Sequence, residues 1–231
     1  MNCGGMEDSF SLDTHGFSFP KHKSALEPDD FHNRQKVEST YLLECEQILR
    51  RLIPDVDQVF IYNWRLRCSS DQKMEGSVIN FSDPTSPLGA AVHVHVDQSA
   101  PSIVERIEVY LPEQASRLLR GRVQHINIWR PIRGPILVET SRISRQFAGD
   151  SLFPMYQDGY RWHYLADPRD DEMLVFKSFD SQPDVTGYAA HYSFKVPDKS
   201  GSLKPRNSVE VRALVFMYPP DGFDEDSGYT E

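Results

Sequence analysis

The segment His93-Val94-His95-Val96-Asp97-Gln98-Ser99 carries metal-binding residue types at a spacing that lets them cooperate. On an extended strand side chains alternate, so His93, His95 and Asp97 share one face while Val92, Val94 and Val96 take the other. Two imidazoles and a carboxylate backed by a valine row are costly to bury unless they bind something. His95 and Asp97 can hold one metal ion from adjacent positions on that face, and a third ligand has to come from a distant strand. His191, in Ala189-Ala190-His191-Tyr192-Ser193-Phe194, suits that role. Two histidines and one carboxylate leave open positions on an iron ion, as in the Fe(II) oxygenases. Against this, a bare H-x-D pair recurs by chance, mostly as surface groups.

Arg206-Asn207-Ser208 follows 15 residues after His191. An arginine and a hydroxyl two apart on a strand can jointly grip a carboxylate, the first as a planar fork and the second as one more donor. The far carboxylate of 2-oxoglutarate needs such a grip while its keto-acid end chelates iron. An isolated R-x-S would more simply begin a strand facing water. The order H-x-D, distant His, R-x-S favours the cosubstrate reading. Asn127 and Arg130, in an N-I-W-R-P stretch, are further candidates to touch the cosubstrate, whereas Trp129 reads as core. Arg212 alternates with Glu210, is placed to pair with it, and ranks below Arg206.

These residues need elements to position them. Residues 36–53 place Leu42, Leu43, Cys45, Ile48, Leu49 and Leu52 in an apolar stripe at helical spacing, with Pro54 after its end. Residues 58–66 are rich in β-branched and aromatic side chains and read as a strand. Further strands are expected over 90–98, 103–111, 123–129, 161–165, 172–179, 190–194 and 209–218, with a short helix over 112–119. Many short strands, few helices and no βαβ alternation favour a mainly β antiparallel sandwich or barrel. Residues 1–30 read as an arm lying on the main domain, 31–220. The stretch 221–231, with five acids, reads as a disordered tail.

Composition bounds the function. The 231 residues fit one domain, and 39% hydrophobic with 11% aromatic residues is ordinary for a folded globular chain. A net charge of -9 argues against nucleic acid or an anionic membrane surface as partner. No apolar run approaches the roughly 20 residues that cross a bilayer. Cys3, Cys45 and Cys68 show no C-x-x-C spacing, which argues against a disulfide framework or structural zinc, and a cytoplasmic setting is expected.

Several segments, in order, resemble the fungal hydroxylase/desaturase family typified by the aspergillic-acid pathway hydroxylase, which is related to proteins called cephalosporin methoxylase-like. They include Leu12-Asp13-Thr14-His15-Gly16-Phe17, residues 91–99, 121–135 (GRVQHINIWRPIRGP), 160–164, 171–181 (DEMLVFKSFDS) and 206–216 (RNSVEVRALVF). The resemblance covers most of residues 12–218. It implies a double-stranded β-helix, a jelly-roll of cupin-like kind with a few flanking helices. It also implies Fe(II)- and 2-oxoglutarate-dependent hydroxylation or desaturation of a small natural product by O2. The family's H-x-D falls on His95 and Asp97, its distal His on His191 and its R-x-S on Arg206 and Ser208. Between Pro135 and Tyr160 the chain is shorter than the family's Trp-Pro-Leu-containing connection, a region placed to form part of a substrate lid. A second chain, identical or paralogous, is therefore expected to complete the mouth as a homodimer or heterodimer. Two rivals stand beside the oxygenase. One is a weakly active or non-catalytic jelly-roll subunit supporting a paralogous oxygenase; the other is a cupin that ignores 2-oxoglutarate.

Overall fold

The computed structural model describes residues 1–69, 79–89, 91, 93–133, 151–155, 158, 160–193 and 206–220. The acidic stretch 221–231, and most of the shortened connection between Pro135 and Tyr160, lie outside them. Five strands form one antiparallel sheet: β1 (Phe17–Ser18), β2 (Gln58–Cys68), β3 (Arg122–Arg133), β4 (Leu174–Asp180) and β5 (Asn207–Met217), in the order β1-β4-β3-β5-β2. β5 is central to the argument. Val209, Val211, Ala213 and Val215 point to one face, and Ser208, Glu210 and Arg212 to the other.

The aliphatic face is covered by a helix. A helical turn, Arg34–Lys36, runs through one wide turn, Val37–Tyr41, into Leu42–Leu52. Cys45, Ile48 and Leu49 pack down with Tyr41 onto Val209, Val211, Ile126 and Ile128 to form the main core. Fully burying each of the larger aliphatic side chains contributes roughly 1.5–3 kcal/mol. This layer frees the opposite face of the sheet for polar side chains.

Residues 103–111, expected as a strand, are helical: Ala100–Tyr110. Ser99 accepts a hydrogen bond from the Ser102 backbone N–H, and a proline stands in the first turn, a combination that starts helices. Ile103 and Ile107, one turn apart, then pack against Leu214 and Phe216 on the polar-face side of β5. Three other expectations contract. Among the described residues, His95 and Val96 bridge His191 and Leu152, Ala91 is a further bridge residue whose carbonyl accepts the Ser193 N–H, and within 161–165 Tyr164 bridges Asn2. The first thirty residues run along the β4 edge, where Phe17 pairs with Phe176 and Lys21 bridges Glu172.

The L-D-T-H-G-F motif ties this edge together. Asp13 receives Arg122 at 2.7 Å and Lys177 at 2.8 Å, and its carbonyl accepts the Thr186 N–H. Gly16 sits at φ 78° and its carbonyl accepts the Lys177 N–H, while a Cβ there would meet Thr186 at 3.0 Å and the Tyr188 carbonyl at 3.2 Å. The motif thus fixes the course of the chain leading into His191. Gly16→Ala combines a left-handed backbone with this close approach. It should cost about 1–2 kcal/mol, read as a lower urea midpoint; a midpoint equal to wild type would show that the approach relaxes freely.

Candidate metal and cosubstrate site

His95 and His191 face each other across an antiparallel bridge, with His95 N–H to His191 O at 3.0 Å and the reciprocal bond at 2.9 Å. Their ring centres are 4.4 Å apart. With Asp97 they form a cluster in which one ligand atom from each residue lies within 4.8 Å of the others. Each imidazole is oriented by its own chain. His95 Nδ1 lies 2.8 Å from the His93 carbonyl and His191 Nδ1 3.1 Å from that of Ala189. A ring nitrogen facing a carbonyl carries the proton, which leaves Nε2 as the lone-pair donor that a metal needs.

Asp97 is gripped from behind. Asn127 donates to its Oδ2 at 2.5 Å and Arg212 Nε to the same oxygen at 3.0 Å, while Oδ1 faces His95 Nε2 at 3.5 Å. The register explains the grip, since Asn127 and Arg212 are direct cross-strand partners on β3 and β5. Arg212 also reaches Glu210, which pairs in turn with Arg67 at 2.5 Å. Asp97, Asn127, Arg212, Glu210 and Arg67 are buried, and His95 is half-buried.

The titration behaviour follows. Burial alone would push the Asp97 carboxyl up, but the Arg212 guanidinium, the hydrogen bond to His95 and the nearby His191 hold it well below the usual carboxylate range. Glu210 is lowered in the same way, with Arg212 and Arg67 overcoming burial. Burial pulls His191 down to about 4, against the upward pull of Asp97. His95 is raised, because its bond with Asp97 and that carboxylate's charge outweigh burial. At neutral pH Asp97 is therefore ionised and His191 neutral, as metal ligation requires, whereas an incoming metal has to displace the proton that His95 Nε2 shares with Asp97.

His191 stands in the wall of a cavity of about 780 Å³, with Trp129, Phe176 and Glu210 in the same wall. The Arg206 guanidinium lies 5.8 Å from the centre of the Trp129 ring. Ser208 is fully buried, and its hydroxyl has no hydrogen-bond partner among the described residues. Buried polar atoms are nearly always paired, so an orphan hydroxyl beside a guanidinium suits an anion such as the far carboxylate of 2-oxoglutarate. The donor set of the cluster, two imidazoles and one carboxylate, likewise suits Fe(II).

The sequence-derived residues thus divide. His95, Asp97 and His191 come together, and Arg206 and Ser208 lie on the same face of the sheet. Asn127 is beside them, with its amide NH2 donating to Asp97 and its Oδ1 without a partner among the described residues. Arg130 is a correction: it points to the opposite face. There it donates to the carbonyls of Asp170 and His22 and to the Tyr41 hydroxyl. These partners come from distant segments, which the N-I-W-R-P stretch does not reveal. Arg212 is the residue that the sequence undervalued, and its signal was the alternation with Glu210.

A mainly antiparallel β fold enclosing this cluster beside a deep cavity defines a non-haem iron oxygenase. A family described as oxidoreductase/YMDC permease-like domain matches residues 1–139 and 137–216. The chain is 31% identical to the hydroxylase/desaturase CTB9 of Cercospora beticola, over 93% of this chain and 74% of that protein. It is 28% identical to the Fe(II)/2-oxoglutarate-dependent dioxygenase nvfI of Aspergillus novofumigatus, over 90% of this chain and 79% of the relative. A solved structure of the iron and alpha-ketoglutarate-dependent endoperoxidase NvfI superposes with a TM-score of 0.76 at 24% identity, covering 94% of this chain and 84% of that one, which establishes the jelly-roll fold. The chain belongs to this family of fungal hydroxylase/desaturases and Fe(II)/2-oxoglutarate-dependent dioxygenases. No helix among the described residues is long and apolar enough to cross a membrane.

Proposed function

We propose that this chain oxidises a lipophilic natural product of fungal secondary metabolism by hydroxylation or desaturation, with Fe(II) held by His95, Asp97 and His191 and with 2-oxoglutarate gripped by Arg206 and Ser208. The observation that carries this reading is the convergence of three ligand atoms, with His191 of the same cluster lining a large cavity. Its lining, including Phe17, Phe19, Trp162, Met173 and Phe176, calls for a substrate that is mostly apolar.

When bound, Fe(II) with 2-oxoglutarate and O2 supplies the oxidising power, with succinate and CO2 as by-products. The residues of the chain supply the rest. Asn127 and Arg212 fix the outer oxygen of Asp97 and leave the other to face the metal. The two backbone carbonyls hold the imidazoles in the ligating tautomer. The aromatic wall excludes water and orients the substrate against the open side of the metal. An unliganded supporting subunit would have no use for three converging ligands, so the intact cluster favours the enzyme.

Two finer points belong to the same reading. Tyr160 and Tyr188 are exposed and line the cavity, and the exposed Phe153 and Met155 flank Pro154, which lines it too. A second chain, identical or paralogous, would cover such a rim. Three buried free thiols accord with a cytoplasmic setting. The test of function is anaerobic addition of Fe(II) and 2-oxoglutarate, followed by O2 and candidate metabolites. A weak visible charge-transfer band, then succinate and a mass change of the metabolite, is the expected result. Absence of both the band and iron uptake would sink the proposal, and a stable, fully active monomer by light scattering would remove the partner chain.

A further inference from the structure

Three polar groups stand together where β5 begins and where β3 lies across from it. Ser208 Oγ and Trp129 Nε1 are both buried, and neither has a hydrogen-bond partner among the described residues. The Arg206 guanidinium lies over the Trp129 ring. Ser208 pairs with Pro131 and Glu210 with Trp129, which makes Ser208 and Trp129 diagonal neighbours on one face of adjacent strands. A tryptophan used only as core normally finds a partner for its N–H when buried. Here the donor is left over, in the same patch as a left-over hydroxyl.

We propose that the Trp129 indole Nε1–H is a third donor to the carboxylate of 2-oxoglutarate that lies remote from the metal, beside Arg206 and Ser208. This rests on the reading of 2-oxoglutarate as cosubstrate. Of the three residues Trp129 is the one that lines the cavity. A carboxylate has lone pairs enough for a guanidinium fork, a hydroxyl and an N–H at once. The ring also serves as a platform for the guanidinium, which limits the orientations that the fork can take. Trp129 is therefore a binding residue that selects a dicarboxylic keto acid over a monocarboxylic one.

The test compares 2-oxoglutarate with 2-oxopentanoate, which keeps the keto-acid end and lacks the far carboxylate, by calorimetry with Mn(II) in place of iron. Trp129→Phe keeps a ring under Arg206 and removes the N–H. It should weaken 2-oxoglutarate about tenfold and leave 2-oxopentanoate unchanged, and Ser208→Ala should behave alike. Neither ligand-free variant should melt below wild type through a lost hydrogen bond, because neither group has one to lose. If Trp129→Phe binds 2-oxoglutarate within about twofold of wild type while Arg206→Ala is weakened, the role of Trp129 is overturned and the cosubstrate reading stands. If wild type does not distinguish the two keto acids, the cosubstrate pocket itself is wrong. Should Trp129→Phe fail to fold, the wild-type protein loaded with Zn(II) still decides: the Trp129 indole proton resonance should move downfield with 2-oxoglutarate and stay put with 2-oxopentanoate, and no movement overturns the proposal.

Discussion

Asp97→Ala is expected to abolish iron retention and succinate formation while the chain still folds. Asp97 is the one anionic member of the cluster, and its carboxylate is already ionised and oriented before a metal arrives. Loss of an outer support of a metal ligand typically costs about 10–100-fold in affinity, so loss of the ligand itself should exceed about 100-fold. The fold should survive because Arg212, the group left behind, keeps Glu210 and the Asn63 side chain, the latter at 3.2 Å. Asn127→Ala provides the graded control. It removes one donor to the outer oxygen and should fall within the 10–100-fold range. Metal analysis of the purified variants and a succinate assay separate the cases. Wild-type iron content in Asp97→Ala would show that the cluster is not the metal site.

The parts of this site that could be read from sequence were those set by local geometry. H-x-D on an extended segment places both groups on one face whatever the fold, and an R-x-S two apart does the same for Arg206 and Ser208. What the sequence concealed depended on register. β3 is buried on both faces from Val123 to Ile132, so no polar alternation marks which face carries the site. Irregularities between His125 and Ile126, and between Pro131 and Arg133, further disturb the count. Neither irregularity lies between Asn127 and Arg130, so alternation alone sets Arg130 on the face of Ile126 and Ile128; what stays hidden is which residues meet it across the sheet. The same blindness hid Arg212 as the partner of Asp97, because the two lie 115 residues apart and meet only through the β3–β5 pairing.

The secondary structure failed where two patterns overlapped. Ile103, Val104, Ile107 and Val109 are β-branched and suggest a strand, yet Ile103 and Ile107 are also spaced for a helix. Ser99 and Pro101, just upstream, settle the matter as a capped helix start. Conversely, the long helix was legible because its apolar stripe extends over three turns. Among the described residues, the segments carrying His95 and His191 pair at isolated bridges, one of which brings the two imidazoles face to face, and Ser193 N–H to the Ala91 carbonyl continues that pairing.

Arg206→Ala should weaken 2-oxoglutarate roughly 10- to 150-fold and leave iron affinity nearly unchanged. A charge-assisted hydrogen bond of the proposed kind typically contributes about 1.5–3 kcal/mol, at about 1.4 kcal/mol per factor of ten. The selectivity follows from position. Arg206 is buried beside Trp129, whereas the groups in contact with Asp97 are Asn127, Arg212 and His95. Arg212 is less suited to the cosubstrate, since its donors are committed to Asp97, Asn63 and Glu210. Lysine at position 206 should recover only part of the affinity, because an ammonium lacks the planar fork that meets two carboxylate oxygens. A cupin that ignores 2-oxoglutarate, or a subunit that only supports a partner, predicts no selective loss. Calorimetry with the metal present is the measurement. Equal 2-oxoglutarate affinity in Arg206→Ala and wild type would take the cosubstrate away from β5's first residues and return attention to Arg212.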